Sequence, residues 1–159
     1  MAGIDSEIQL VTFQLGNEIY GIDIMDVKEI VKIQEIRPIP NAPSYVAGIL
    51  NLRGNIIPII NLHVRFNLKK PDLSEEDKLL SGIIIIDVDN MQIGIIIDKV
   101  AKVMTVEVDS IQQPPQLISG IGAEYIQGVV NEDGRYLIIL DIRRLFSKKE
   151  LKQLGEISQ

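Results

Sequence analysis

"YVAGILNLRGNIIPIINL", residues Tyr45–Leu62, returns 80 positions later as "YIQGVVNEDGRYLIILDI", residues Tyr125–Ile142, with no gap in the alignment. Tyr, Gly, Asn, Gly and a late Ile recur in place, and most other positions exchange one aliphatic residue for another. An Asn followed three residues later by Gly, between two apolar arms, reads as a hairpin built on a type I turn, with the Gly in the left-handed region forming a bulge. The second arms, "IIPII" and "YLIIL", are continuous apolar runs instead of alternating ones. Continuous runs imply burial on both faces, as when two sheets or barrels press together. Pro58 removes a ladder donor, which places its strand at an edge or at a barrel corner.

The repeat extends upstream at a second spacing. "VTFQLGNEIYGIDIMDV" (Val11–Val27) aligns with "IIIDVDNMQIGIIIDKV" (Ile84–Val100) 73 positions later, matching Asn17 with Asn90, Gly21 with Gly94 and Val27 with Val100. The extra residues of the second copy fall in the loop around Gln112–Gly122. Each copy opens with a hairpin, around Gly16-Asn17 and Asp89-Asn90, whose residue types tolerate the positive φ of tight turns. A further short strand is expected after each, over Val27–Ile33 and Val100–Val106. The predicted organisation is a first module over 8–66, a polar linker over 67–80 containing Pro71, a second module over 81–146, and a C-terminal helix and tail over 147–159. Strand exchange between the modules is left open. Ser147 and Glu150 make a capping box, Leu151 and Leu154 give that helix its apolar side, and Lys148, Lys149 and Lys152 form its solvated face. "DIRRLF" before it reads as a short helical turn. The fold class is mainly β: two small barrels related by internal duplication and packed about a hydrophobic seam, with a C-terminal helix.

Hydrophobic residues at 46% in a chain of 159 supply a sizeable core, and a formal charge of −6 argues against a nucleic-acid partner. With no cysteine there is no disulfide, thiolate zinc site or cysteine nucleophile. The N-terminal Met-Ala-Gly-Ile-Asp-Ser-Glu lacks the basic and apolar regions of an export signal, and the longest purely aliphatic run, Ile83–Ile86, is too short to span a bilayer. A cytoplasmic protein without direct membrane insertion is expected. His63, the only histidine, follows a buried-looking strand and reads as a surface or core-edge residue. The glycines form no phosphate cradle, and Gly120-Ile121-Gly122 reads as a flexible loop. Glu75-Glu76 lies in the linker, and Asp87, Asp89 and Asp98 lack calcium-loop spacing. No catalytic, cofactor-binding or metal-ligating residue is assigned, so no enzyme is expected.

Asn51, Gly54, Asn131 and Gly134 are explained by turn geometry, and Glu132-Asp133 at a hairpin tip stays hydrated at no cost. Leu52-Arg53 differs, because a Leu at a tip exposes apolar surface without local gain. Either Leu52 folds back onto its own barrel or the pair meets a partner. The sibling tip, which has neither residue, favours the partner, with Arg beside an apolar group as a common hot-spot pairing. The segment Tyr20–Ile33 has two readings that both stand. One is strand, turn and strand with Val27 and Ile30 in the core. The other places Val27 and Val100 at a seam groove suited to an amphipathic helix.

"YGIDIMDVKEI", "PNAPSYVAGILNLRGNIIPIINL" and "IGIIIDKVAKV" resemble the CheW family of bacterial chemotaxis coupling proteins, over about Ile8–Phe146. The resemblance implies two five-stranded SH3-like barrels and a non-enzymatic adaptor linking the cytoplasmic helical tip of chemoreceptors to the regulatory domain of the histidine kinase CheA. It places the chain at receptor arrays on the inner face of the membrane. By position, Asn51, Leu52, Arg53 and Gly54 form the family's partner-binding tip. Val27, Glu29 and Ile30 match its V-x-E-I segment on the receptor-facing side, and Val100 takes the corresponding place in the second copy. The linker and C-terminal tail depart from the family pattern. Alternatives are a detached coupling domain of a CheA- or CheV-type protein and, from another class, a small β-barrel ligand-binding protein or enzyme, which would need a polar pocket.

Overall fold

The computed structural model describes residues 6–68, 74–113, 125–132 and 134–157. The expected loop over Gln112–Gly122, its Gly120-Ile121-Gly122, part of the linker and Asp133 lie wholly or partly outside them. The strands are β1 (Glu7–Leu15), β2 (Glu18–Asp23), β3 (Val27–Lys32), β4 (Val46–Leu52), β5 (Asn55–Asn61), β6 (Gly82–Val88), β7 (Met91–Ile97), β8 (Lys99–Glu107), β9 (Ile126–Glu132) and β10 (Arg135–Leu140). The helices are α1 (Leu62–Arg65), α2 (Glu75–Lys78) and α3 (Lys148–Ile157). All four expected hairpins form, at the expected turns, and "DIRRLF" contains a 3-10 turn over Ile142–Arg144. The four-residue α1, the counterpart of that turn in the first copy, is not announced by any pattern in the sequence.

The strands make two five-stranded sheets, in the orders β8-β1-β2-β10-β9 and β3-β6-β7-β5-β4. The repeats in sequence are therefore not the units in space: each sheet mixes strands from 8–66 with strands from 81–146. The exchange occurs through four pairings, two parallel (β2 with β10 and β5 with β7) and two antiparallel (β1 with β8 and β3 with β6). Each sheet closes into a barrel when the chain leaving one edge strand bridges to the other edge. Arg37, beyond β3, exchanges backbone hydrogen bonds of 2.9 Å with Ile49 of β4, and Gln112, beyond β8, exchanges bonds of 2.8 and 2.9 Å with Val129 of β9. At both closures the chain passes over a glycine. A β-carbon at Gly48 would lie 2.3 Å from the Arg37 carbonyl oxygen, and one at Gly128 would lie 2.4 Å from Ile111 Cγ2.

The continuous aliphatic runs follow from this arrangement. Along β6, Ile83 and Ile85 point into their own barrel with Leu50 and Ile59, while Ile84 and Ile86 point into a seam shared with the other barrel. Along β10, Leu137 and Ile139 fill the barrel, and Ile138 and Leu140 fill the seam. With apolar surface on both sides, an alternating strand would bury polar groups without partners.

Two local expectations are corrected. β4 runs through Leu52, which pairs with Asn55, so the turn is the two residues Arg53-Gly54, both with positive φ (53° and 87°). That is the type I′ pattern, whose twist matches the flanking strands better than a type I turn does. Asn51 and Gly54 still set it, since Asn51 Oδ1 accepts the Gly54 N–H at 3.0 Å. Pro58 lies in an internal strand, not an edge. It pairs with Ile49 of β4, and the parallel pairing of β5 with β7 begins only at Ile59, so its missing N–H leaves no gap in that ladder.

Candidate functional site

The seam has two flanks, one along the edge strands β3 and β8, the other beside β4, β9 and the short helical turns that follow β5 and β10. The first carries the residues singled out in sequence. Val27 and Val100 are half-buried and pack on the seam core, as their matched positions predicted. Ile30 and Val103 lie opposite Ile84 and Val11, so both face the seam side, yet they are 41% and 54% exposed. Between them sits Gly82, where a β-carbon would be 3.7 Å from Val100 Cγ2 and 3.8 Å from Ile30 Cγ2. Leu80, whose carbonyl accepts the Val100 N–H at 3.0 Å, adds further exposed apolar surface. Leu80 and Val103 are not among the residues expected from the sequence; a leucine ending a polar linker is the available signal for the first.

Glu29 and Arg53 form an ion pair that ties β3 to the β4–β5 turn. Leu52 does not join them at the surface. It is buried at 9% exposure with Leu50, Ile57, Ile59, Ile83 and Ile85, because its neighbour on the strand's interior face is Leu50, two residues back. The expectation that Leu52 projects into water is thus overturned. Its counterpart in the other copy, Glu132, is exposed and opposite Arg135, so the first tip carries one more layer of barrel interior than the second. The structure therefore brings together Val27, Ile30 and Val100 along the flank, and Glu29, Arg53, Asn51 and Gly54 at the tip, with β3 joining the groups.

The second flank is filled. Tyr45 packs on Phe146 (ring centroids 6.2 Å apart) and Phe66 on Tyr125 (5.6 Å), two pairs related by the internal repeat. Between them Arg65 lies 4.7 Å over Tyr45 and 5.4 Å over Tyr125. Its guanidinium donates to the Leu145 carbonyl at 2.8 Å and to Glu150 Oε1 at 2.7 Å, holding α3 over this end of the seam, where Leu154 is fully buried. The bonds from Arg65 hold the Glu150 carboxyl down to about 2, against a smaller opposing effect of burial; Ser147 completes the predicted capping box. Lys148, Lys149 and Lys152 face solvent as expected.

His63 is neither at the surface nor at a core edge. It is 4% exposed, and its Nε2 donates to Asp98 Oδ2 at 2.8 Å. A carboxylate arriving from a distant strand gives this polar ring a partner, a pairing that local sequence does not reveal. Among the described residues no group of three or more His, Asp or Glu side chains is placed to hold a metal ion, and no helix is long and apolar enough to cross a membrane.

Comparison with known proteins gives a consistent result. The family model described as "CheW-like domain" matches residues 9–150. The chain is 58% identical to "Chemotaxis protein CheW" of Treponema pallidum, over 99% of this chain and 92% of that one. It is 31% identical to the protein of the same name from Klebsiella aerogenes, over 100% and 93%. The crystal structure of the scaffolding protein TtCheW from Thermoanaerobacter tengcongensis superposes with a TM-score of 0.79 at 37% identity, covering 88% of each chain.

Proposed function

The chain belongs to the CheW-like family of chemotaxis scaffold proteins, and from that premise we propose that it couples chemoreceptors to the histidine kinase CheA as a non-enzymatic adaptor. The observation that carries this reading is the β3–β8 flank, where Ile30, Val103 and Leu80 expose apolar surface beside half-buried Val27 and Val100. Two edge strands bordering an apolar trough fit an amphipathic helix, which is what a receptor's cytoplasmic helical tip presents. The tip formed by Asn51, Arg53 and Gly54, braced by Glu29, is the second contact, with Leu52 supporting it from within. The kinase engages through its own CheW-like regulatory domain, barrel against barrel. Binding both partners at once raises their effective concentration for each other and fixes their relative orientation. The protein then acts in the cytoplasm, recruited to receptor arrays, without entering the membrane.

Pull-down with a chemoreceptor cytoplasmic fragment and with CheA, separately and together, tests the reading. Capture of each alone and of a ternary complex is expected, and Ile30→Asp should lose the receptor fragment while keeping the parent melting temperature. Unchanged capture of both partners by Ile30→Asp and Arg53→Glu would overturn the assignment of these surfaces.

A further inference from the structure

Among the described strands the chain crosses between the barrels twice. The first crossing, from β2 to β3, uses a 3-10 turn over Ile24–Asp26; the second, from β7 to β8, uses one residue, Asp98. The N–H, the carbonyl and the carboxylate oxygen Oδ2 of Asp98 are all engaged, and to both sides. Its N–H donates to the Gln14 carbonyl of β1 at 3.1 Å, and its Oδ2 accepts the Gly16 N–H of the β1–β2 turn at 2.8 Å. Those bonds hold the β8 barrel. On the other side its carbonyl accepts the Ser81 hydroxyl at 2.8 Å, just before β6, and its Oδ2 accepts His63 Nε2 at 2.8 Å from α1, just after β5. Asp98 is 8% exposed, so these bonds act with little competition from water.

Among the described residues the first crossing has no equivalent knot. Arg143 takes the place of His63 in the second copy, 80 positions on, and is exposed. The space beside that crossing is a cavity of about 450 Å³, lined by Met25, Asp26, Asp87 and Arg143 among others. One crossing is a buried fastening and the other an open turn, so of the two crossings it is the one at Asp98 that ties the barrels by buried hydrogen bonds. Two residues further along, Val100 enters the β3–β8 flank, and Ser81 leads directly to Gly82 at its floor.

We infer that Asp98 and His63 are positioning residues for partner binding: they fix the angle between the barrels and so the width of the trough between β3 and β8. The inference rests on the proposed role of that trough, and its test separates the two. The chain has no native cysteine, so spin labels can be placed at Asn55 and Glu132, one on an exposed tip of each barrel. Asp98→Ala should broaden the distance distribution between the labels and weaken binding of the receptor cytoplasmic fragment about tenfold, the scale of one lost charge-assisted hydrogen bond. Asp98→Asn, which keeps an acceptor for Gly16 and His63, should restore a narrow distribution and most of the affinity. A role in stability alone would lower the melting temperature without moving the width of the distribution in the folded protein. If Asp98→Ala does not fold, His63→Phe carries the test, because it fills the same space and leaves the Gly16 bond intact; His63→Gln, retaining a donor, is its rescue. A parent-like distance distribution in the folded Asp98→Ala or His63→Phe protein overturns the inference. So does a parent-like receptor affinity in a background where Ile30→Asp abolishes binding. Should Ile30→Asp leave binding intact, the trough reading fails by itself, and the distance distribution alone decides whether Asp98 sets the angle.

Discussion

The two flanks of the seam are bordered by equivalent strands of an internal repeat, yet among the described residues one is covered by the chain itself and the other is not. Beside β4 and β9, four aromatic rings, Arg65 and α3 fill the space, and Leu154 is wholly excluded from water. Along β3 and β8, the apolar side chains at matching depth stop at the surface, with Ile30 and Val103 about half exposed. Arg65 marks the break in symmetry. Its counterpart 80 positions on is Leu145, which offers only a carbonyl to it, so the duplicated scaffold gained a charged centre on one copy and a helix to answer it. Covering a flank stabilises the fold, and the proposed adaptor role needs the other flank left open.

The contrast can be broken by exchanging the consequences of mutation on the two sides. Leu154→Ala should have the largest effect, lowering stability by about 2–4 kcal/mol in urea denaturation while the folded fraction still binds receptor fragment. On the open flank, Ile30→Asp or Val103→Asp should lower receptor-fragment affinity by more than about tenfold, measured by calorimetry, with little change in melting temperature. Parent affinity in both would show that the open flank is not the binding surface. Next is Glu150→Gln, expected to cost about 1 kcal/mol at neutral pH by weakening the clasp on Arg65. Because the folded protein holds the Glu150 carboxyl at about 2, below its ordinary value of 4.5, its contribution is complete above that ordinary value and is lost as pH falls towards 2. Acid titration of stability should therefore be shallower over that window in Glu150→Gln. A parent-like acid limb would remove Glu150 from the clasp. The smallest stability effect belongs to Arg53→Glu, within about 1 kcal/mol since the ion pair with Glu29 is solvated, although partner capture should fall. Adding Glu29→Arg restores the pair with opposite polarity. Recovery of capture would assign the pair a bracing role, and no recovery would assign Arg53 a direct one.

The hairpins, the seam and the capped C-terminal helix were legible because each is written in local pattern: turn residues, unbroken aliphatic runs, and Ser147 with Glu150. Leu52 was not, because a one-residue choice between a type I turn with a bulge and a type I′ turn decides which way the side chain points, and Asn51 and Gly54 are compatible with both. Which strand pairs with which was also beyond reach. β2 and β10 carry the same kind of pattern as β1 and β9, and the parallel pairing between them joins residues more than a hundred positions apart. His63 and Arg65 stand in a four-residue helix too short for any periodicity, and their partners, Asp98 and Glu150, come from 35 and 85 positions away. For the trough, Val27 and Val100 were found because the repeat matched them. Val103 and Leu80 carry no such mark.

The parallel pairings also impose a timetable on a growing chain. The β3 barrel has all its strands once Ile97 has been made, but the β8 barrel, to which β1 and β2 belong, must wait for Leu140. The first hairpin synthesised is thus among the last to be enclosed, and its apolar residues Leu10, Phe13 and Leu15 remain without their final neighbours through most of translation.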